Sequence, residues 1–256
     1  MRDVKGNSVL AKEKEMASER TIIVTGASQG IGAGLVRAFL ERGYRVVANS
    51  RGISSSGAFQ TSEKLALVDG NIGEIAVAGK IVQTAVTRFG TIDALVNNAG
   101  IFFTKPFTDF TADDFEVLST VNLKGFLYMT QGVVAQMLAQ RKGGSVVSIT
   151  SSLVVNPIAG VQASLPMITK GGIEAATRSL ASEYAKERIR FNAVAPGIVD
   201  TPMHANDSRE FLDTLSPMGK ISSVGDIVNA VIYLTEAGNV TGEVLHVDGG
   251  AHQGRW

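Results

Sequence analysis

Between residues 21 and 247, short β-branched apolar runs alternate with longer stretches whose apolar side chains recur every three or four positions. Few folds accommodate that alternation. The runs 21–24, 45–48, 65–68, 94–96, 145–149, 190–194 and 243–247 read as strands. After the first run, Leu35, Val36, Phe39 and Leu40 share one helix face, and Ile75, Ala78, Ile81, Val82 and Ala85 share another. The stretches 115–138 and 169–186 repeat the helical pattern, the second aligning Ile173, Ala176, Leu180 and Tyr184. The chain is therefore expected to be α/β, a doubly wound, mostly parallel seven-stranded sheet with helices on both faces. No Pro/Ser-rich linker or internal repeat divides it, so residues 20–256 are expected to form a single domain.

Composition narrows the function classes. Hydrophobic residues make up 45% of the chain and charged residues 19%, enough apolar matter for a large core and too little charge for disorder. The formal net charge is zero, which argues against a nucleic-acid partner. The chain has no cysteine, so disulfides and thiolate metal sites are out and a cytoplasmic location is expected. His204, His246 and His252 are the only histidines, and no metal site is expected from them. No apolar run approaches the roughly 18–20 residues that cross a membrane, so no membrane partner is expected. Residues 1–19 mix both charge signs, and Met16 offers a second start just ahead of the first strand. They are expected to be a mobile extension or an upstream start. The stretch 52–57 reads as a surface loop, and the long irregular segment 200–223 as a lid over a substrate.

The first strand runs into Thr25-Gly26-Ala27-Ser28-Gln29-Gly30-Ile31-Gly32, which opens the first helix. In that setting Gly26 permits a tight turn, Gly30 lets backbone approach a diphosphate, and Gly32 lets helix and strand pack closely. An anion would then lie against the free N–H groups at the helix start. Taken alone, the motif also fits a glycine-rich connection with no ligand.

Further motifs stand in the same order. Asn97-Asn98-Ala99-Gly100 follows the fourth strand, Asn122 lies in the next helix, and Pro196-Gly197 with Thr201 follows the sixth strand. With residues 25–32 this set resembles the short-chain dehydrogenase/reductase family, close to its 3-oxoacyl-(acyl carrier protein) reductase branch, over nearly the whole chain. The resemblance implies a Rossmann-type domain, a nicotinamide cofactor, a small carbonyl or alcohol substrate, and a homotetramer or homodimer. It places Ser28, Gln29, Ile31, Asn97, Ala99 and Gly100 beside the dinucleotide. Asp69 falls near the adenine, although a solvated turn acid reads equally well there. Thr201 falls at the nicotinamide carboxamide, although it also reads as a helix N-cap. Ser50 stands where members specific for NAD carry an acid. Arg51 beside it offers a guanidinium to a 2′-phosphate, so NADP(H) is favoured over NAD(H). The competing reading of Arg51 is a solvated loop residue.

For catalysis the resemblance implies a serine, a lysine, an asparagine and a tyrosine. Ser151 matches the serine, with Ser152 beside it; Lys170 matches the lysine that also binds the nicotinamide ribose; Asn122 matches the asparagine. The tyrosine, four residues before the lysine, is missing: Pro166 stands there, without a hydroxyl or a titratable proton. The interval from Ser151 is also slightly longer than usual, which places a short insertion in 156–162. Ser164 and Thr169 are nearby hydroxyls of too high a pKa to replace a phenol. His204, in the lid segment, titrates in the right range but also reads as an exposed loop histidine; a water held by Ser151 and Lys170 is a further route. The expected function is an NADP(H)-dependent oxidoreductase with an atypical proton donor; the alternative is a catalytically silent dinucleotide-binding protein. Met203, Phe211, Leu212 and Met218 suggest an apolar wall to the substrate pocket. The helical stretches 115–138 and 172–186 are expected to pack against a second subunit.

Overall fold

In the computed structural model the described residues are 20–254, and the expectation for residues 1–19 lies outside them. The strands are β1 (Thr21–Thr25), β2 (Arg45–Ser50), β3 (Leu65–Asp69), β4 (Ala94–Asn97), β5 (Gly144–Ile149), β6 (Ile189–Pro196) and β7 (Val244–Val247). They form one sheet in the order β3-β2-β1-β4-β5-β6-β7. Every neighbouring pair is parallel, so the mostly parallel sheet expected is parallel throughout. Parallel strands buried on both faces need continuous apolar runs, and β1 and β4 are buried at every position.

Alternate residues of β1 feed two cores. Ile22 and Val24 pack with Leu35, Val36 and Phe39 of helix α1 (Gly30–Glu41) and with Ile227 and Val231 of helix α7 (Val224–Glu236). Ile23, pointing the other way, packs with Ile81 and Ala85 of α2 (Ile75–Phe89), Met129 and Val133 of α4 (Gly125–Gln140), and Ala181 of α5 (Ser164–Glu183). This is a doubly wound Rossmann fold in a single domain.

Three helical features depart from the sequence reading. Helix α7 was not anticipated, although Ser223 and Asp226 form a reciprocal capping box at its start. It packs on α1 at Gly34, where a Cβ would come within 2.5 Å of Val224 Cγ1. The stretch expected as one helix over 115–138 is α3 (Ala112–Leu118), then a π-helical turn Ser119–Lys124, then α4. And α5 begins at Ser164, earlier than 169, with Pro166 in its first turn, where a missing N–H costs no helical hydrogen bond.

Candidate active site

Strand order reverses between β1 and β4: the strands that follow each are laid down on opposite sides of the pair, and a cleft opens beyond their carboxyl ends. The turns after the two strands are tied to each other. Asn98 Nδ2 donates to the carbonyl oxygens of Thr25 (2.9 Å) and Gly26 (3.0 Å). The Thr25 hydroxyl accepts from the backbone N–H of Asn98 (3.1 Å) and Ala99 (3.0 Å). Gly26 takes φ +65°, and a Cβ there would stand 2.8 Å from Ala99 Cα. A Cβ on Gly32 would run into the Gly26 carbonyl oxygen and reach within 2.6 Å of Asn98 Nδ2. Helix α1 has no side-chain cap at Gln29 and no acid in its first turn, so its N-terminal amides face the cleft unanswered.

The cleft holds about 850 Å³, and its walls bring most of the expected residues together. Gly26, Ser28, Gln29, Gly30, Ile31, Gly32, Ser50, Arg51, Ala99, Gly100, Ser151, Lys170, Pro196, Gly197 and Thr201 all line it. Among the described residues no acid pairs with Arg51. Thr201 makes no capping bond to the turn Pro202–His204 that follows it. It sits over Gly30, where a Cβ would lie 3.4 Å from Thr201 Cγ2.

Three expected residues stand elsewhere. The Asn97 side chain turns from the cleft to donate to the Thr130 hydroxyl of α4 (3.0 Å), and the next three residues line the wall instead. The Asp69 carboxylate accepts from the Ser54 backbone N–H (2.9 Å), a bond that holds its pKa below the ordinary carboxylate value and pins the 52–57 loop. Asn122 is buried behind the wall, not on it. Its Oδ1 accepts from Ile101 N (2.9 Å), while its Nδ2 donates to Ile101 O (3.1 Å) and Thr169 Oγ1 (2.9 Å). The π-helical turn carries this asparagine into the strand-end loop, the kind of place where such turns recur. Sequence patterning missed it because a 3.6-residue period does not register one inserted residue.

Lys170 is buried, and its Nζ donates to Ile149 O at 2.8 Å. Burial alone drives its pKa down from 10.5 to about 8, because the ammonium has lost water without gaining an anion. Ser151 follows β5, and its Oγ accepts from Leu153 N at 3.3 Å. Behind them the Thr150 hydroxyl donates to Glu174 Oε1 (2.9 Å), a carboxyl whose pKa burial raises. Pro166 is buried in α5 and contributes nothing to the cleft wall.

The 200–223 segment closes one side. Its ends are joined by backbone bonds from Asp200 N to Ser222 O (2.9 Å) and from Ser222 N to Ile198 O (3.0 Å). Between them lie the turn Pro202–His204 and the short helix α6 (Arg209–Asp213). Met203, Phe211 and Leu212 line the cleft as expected, whereas the exposed Met218 does not.

The chain as a whole has known counterparts. The family profile described as enoyl-(acyl carrier protein) reductase matches residues 26–252. The chain belongs to the short-chain dehydrogenase/reductase family. Within the family it is 37% identical over 240 residues to a polyketide synthase putative ketoacyl reductase of Streptomyces violaceoruber, covering 90% of this chain and 95% of that protein. It is 31% identical over 246 residues to an L-rhamnose 1-dehydrogenase (NAD(P)(+)) of a Sphingomonas species, covering 91% and 96%. The solved structure of ElxO with NADP bound superposes with a TM-score of 0.85 at 26% identity, covering 92% of this chain and 100% of that one. The family profile thus spans nearly all of the described chain, the 200–223 segment included.

Proposed function

We propose that this protein is an NADP(H)-dependent oxidoreductase that interconverts a carbonyl and an alcohol on a small substrate with an apolar body. The observation that carries the reading is one cleft shared by the uncapped, acid-free start of α1 and by Ser151 and Lys170. The residues present fit a dinucleotide: the glycine turn leaves no room for a Cβ, and free amides face where a diphosphate would bind. Ser50 and the unpaired Arg51 favour the 2′-phosphate, with NAD(H) as the alternative cofactor. NADP-bound ElxO and the NAD(P)-dependent rhamnose dehydrogenase support the pairing.

When bound, the reduced nicotinamide supplies a hydride to the carbonyl carbon. Ser151 donates a hydrogen bond to the substrate oxygen. Lys170 holds the nicotinamide ribose hydroxyls and presents positive charge to the developing oxyanion. Asn122 and Thr169 act one layer behind, bracing Ile101 against α5. Pro166 occupies the position of the family tyrosine, so the proton comes from another group. Assembly into a homotetramer or homodimer is supported by exposed Phe115, Val117, Leu127 and Ile168 on α3, α4 and α5. The cytoplasm is the proposed location, in keeping with a chain that lacks cysteine.

Isothermal titration with NADPH and NADH, followed by NADPH oxidation with a panel of a 3-oxoacyl thioester and an aldonolactone, tests the reading. Micromolar NADPH binding with turnover of a panel member supports it; no binding of either dinucleotide removes it. The second reading, a catalytically silent dinucleotide-binding protein, is favoured by the buried Pro166 and by the lack of any tyrosine on the cleft wall. It predicts binding with no turnover.

A further inference from the structure

Reduction of a carbonyl consumes a proton as well as a hydride, and the group that delivers it must open onto the cleft. The titratable side chains on the cleft wall are Arg51, Lys170, His204, Asp207 and Asp248. Arg51 keeps its proton at any working pH. The Lys170 ammonium donates to Ile149 O and is assigned above to the ribose hydroxyls, where it must keep its charge. The Asp248 carboxylate accepts from Gly250 N (3.0 Å) and His252 N (2.8 Å) and lies 3.0 Å from His252 Nδ1. His204 and Asp207 remain. Both line the cleft, and His204 Nδ1 stands 2.7 Å from Asp207 Oδ2. That contact assigns the Nδ1 proton to the carboxylate side and leaves Nε2 for exchange. The adjacent cation, Arg209, is taken up by Asp200 (2.7 Å) and Asp213 (3.2 Å) and does not compete for Asp207. The turn that carries His204 starts at Thr201, directly over Gly30 of the cofactor loop.

We infer that the His204 imidazole, oriented by the Asp207 carboxylate, is the proton carrier of this cleft. The inference rests on the oxidoreductase reading above and names the group that completes it. As hydride adds to the carbonyl carbon, the C–O π bond breaks and its electron pair moves to oxygen. That oxygen takes the proton from Nε2 of the imidazolium: the N–H bond breaks, an O–H bond forms, and a neutral imidazole is left. The carbonyl is reduced to the alcohol and NADPH is oxidised to NADP⁺. Oxidation of the alcohol runs the same transfers backwards, with Nε2 accepting. Asp207 is a positioning residue in this scheme.

The test compares wild type, His204→Gln and Asp207→Asn on the same panel across pH. In His204→Gln, kcat is expected to fall on the order of 10²-fold or more, with NADPH affinity unchanged and one inflection missing from the pH profile. Asp207→Asn should lower kcat in the same sense without changing NADPH affinity. Independently of turnover, the Cε1–H proton resonance of His204, identified by its absence from the His204→Gln spectrum, should shift when the 3-oxoacyl thioester is added. A His204→Gln protein with near wild-type kcat and pH profile, or a resonance indifferent to the thioester, overturns the inference alone. A wild-type protein that turns over no panel member overturns it together with the oxidoreductase reading.

Discussion

Thr25 and Asn98 hold each other at the point where the strand order of the sheet reverses. The Thr25 hydroxyl accepts from Asn98 N at 3.1 Å, and the Asn98 side chain returns a bond to Thr25 O at 2.9 Å. The same hydroxyl also accepts from Ala99 N. Replacing Thr25 by Val keeps the shape but strips Ala99 N of its acceptor and leaves Asn98 N only its bond to Val96 O (3.1 Å). Thr25→Val should therefore lose about 1–3 kcal/mol in urea denaturation, the cost of an unsatisfied donor, and bind NADPH more weakly. An unchanged midpoint would show that the two turns are held by packing alone.

Gly32 has no space for a side chain. A methyl there meets the Gly26 carbonyl and the Asn98 amide, neither of which can yield without opening the turn. Gly32→Ala should cost on the order of 1–3 kcal/mol or more, as overpacking does, and abolish detectable NADPH binding by calorimetry. Gly79, on the exposed side of α2 with nothing near its missing Cβ, is the control position, where Ala should be neutral or stabilising.

Lys170 makes stability depend on pH in a defined direction. Below about pH 8 its ammonium is charged in both folded and unfolded chains, and folding bears the full desolvation penalty. Between about 8 and 10.5 the folded protein releases the proton while the unfolded chain keeps it. The unfolded state then binds more protons, so this group's contribution raises stability as pH rises through that window. Denaturation at pH 8 and pH 9.5 should show the rise in wild type and its loss in Lys170→Met; parallel behaviour of the two proteins would refute it.

Arg51 should govern the choice of dinucleotide. Arg51→Glu places a carboxylate where the 2′-phosphate is proposed to bind, exchanging attraction for repulsion. NADPH affinity should fall at least tenfold relative to NADH, and equal affinities in wild type and variant would return Arg51 to the status of a loop residue.

Pro166→Tyr should restore a phenol four residues before Lys170 on the same helix face, within a first turn that does not require proline. On the oxidoreductase reading, turnover of the panel should rise or stay measurable, with part of the rate no longer dependent on His204. On the silent reading, activity should appear from none, by a factor on the order of 10² or more above background.

The architecture was legible in the sequence because it is written in local periodicity. Buried parallel strands demand apolar runs, and their alternation with helices along the chain points to a doubly wound sheet, whose strand order the structure then sets. The glycine turn could also be read, since it joins a strand to a helix that the pattern locates, whereas Ser151 and Lys170 were assigned through the resemblance to the family. Helix α7 escaped although its Ser223–Asp226 cap is present in the sequence, because it follows directly on the irregular 200–223 segment. Tertiary structure decided the rest. Asn97 and Asn98 are neighbours with the same side chain, yet the end of β4 sends one to Thr130 and the other to the Thr25 and Gly26 carbonyls at the cleft. Asn122 was readable as a residue but not as a brace, since one π-helical turn and the distant Ile101 backbone set what its amide touches. Lys170 is an ordinary lysine in sequence; only its burial in the fold, against the Ile149 carbonyl at the end of β5, removes its water and lowers its pKa. Periodicity along the chain fixes which elements form, whereas desolvation and side-chain direction depend on which elements then meet.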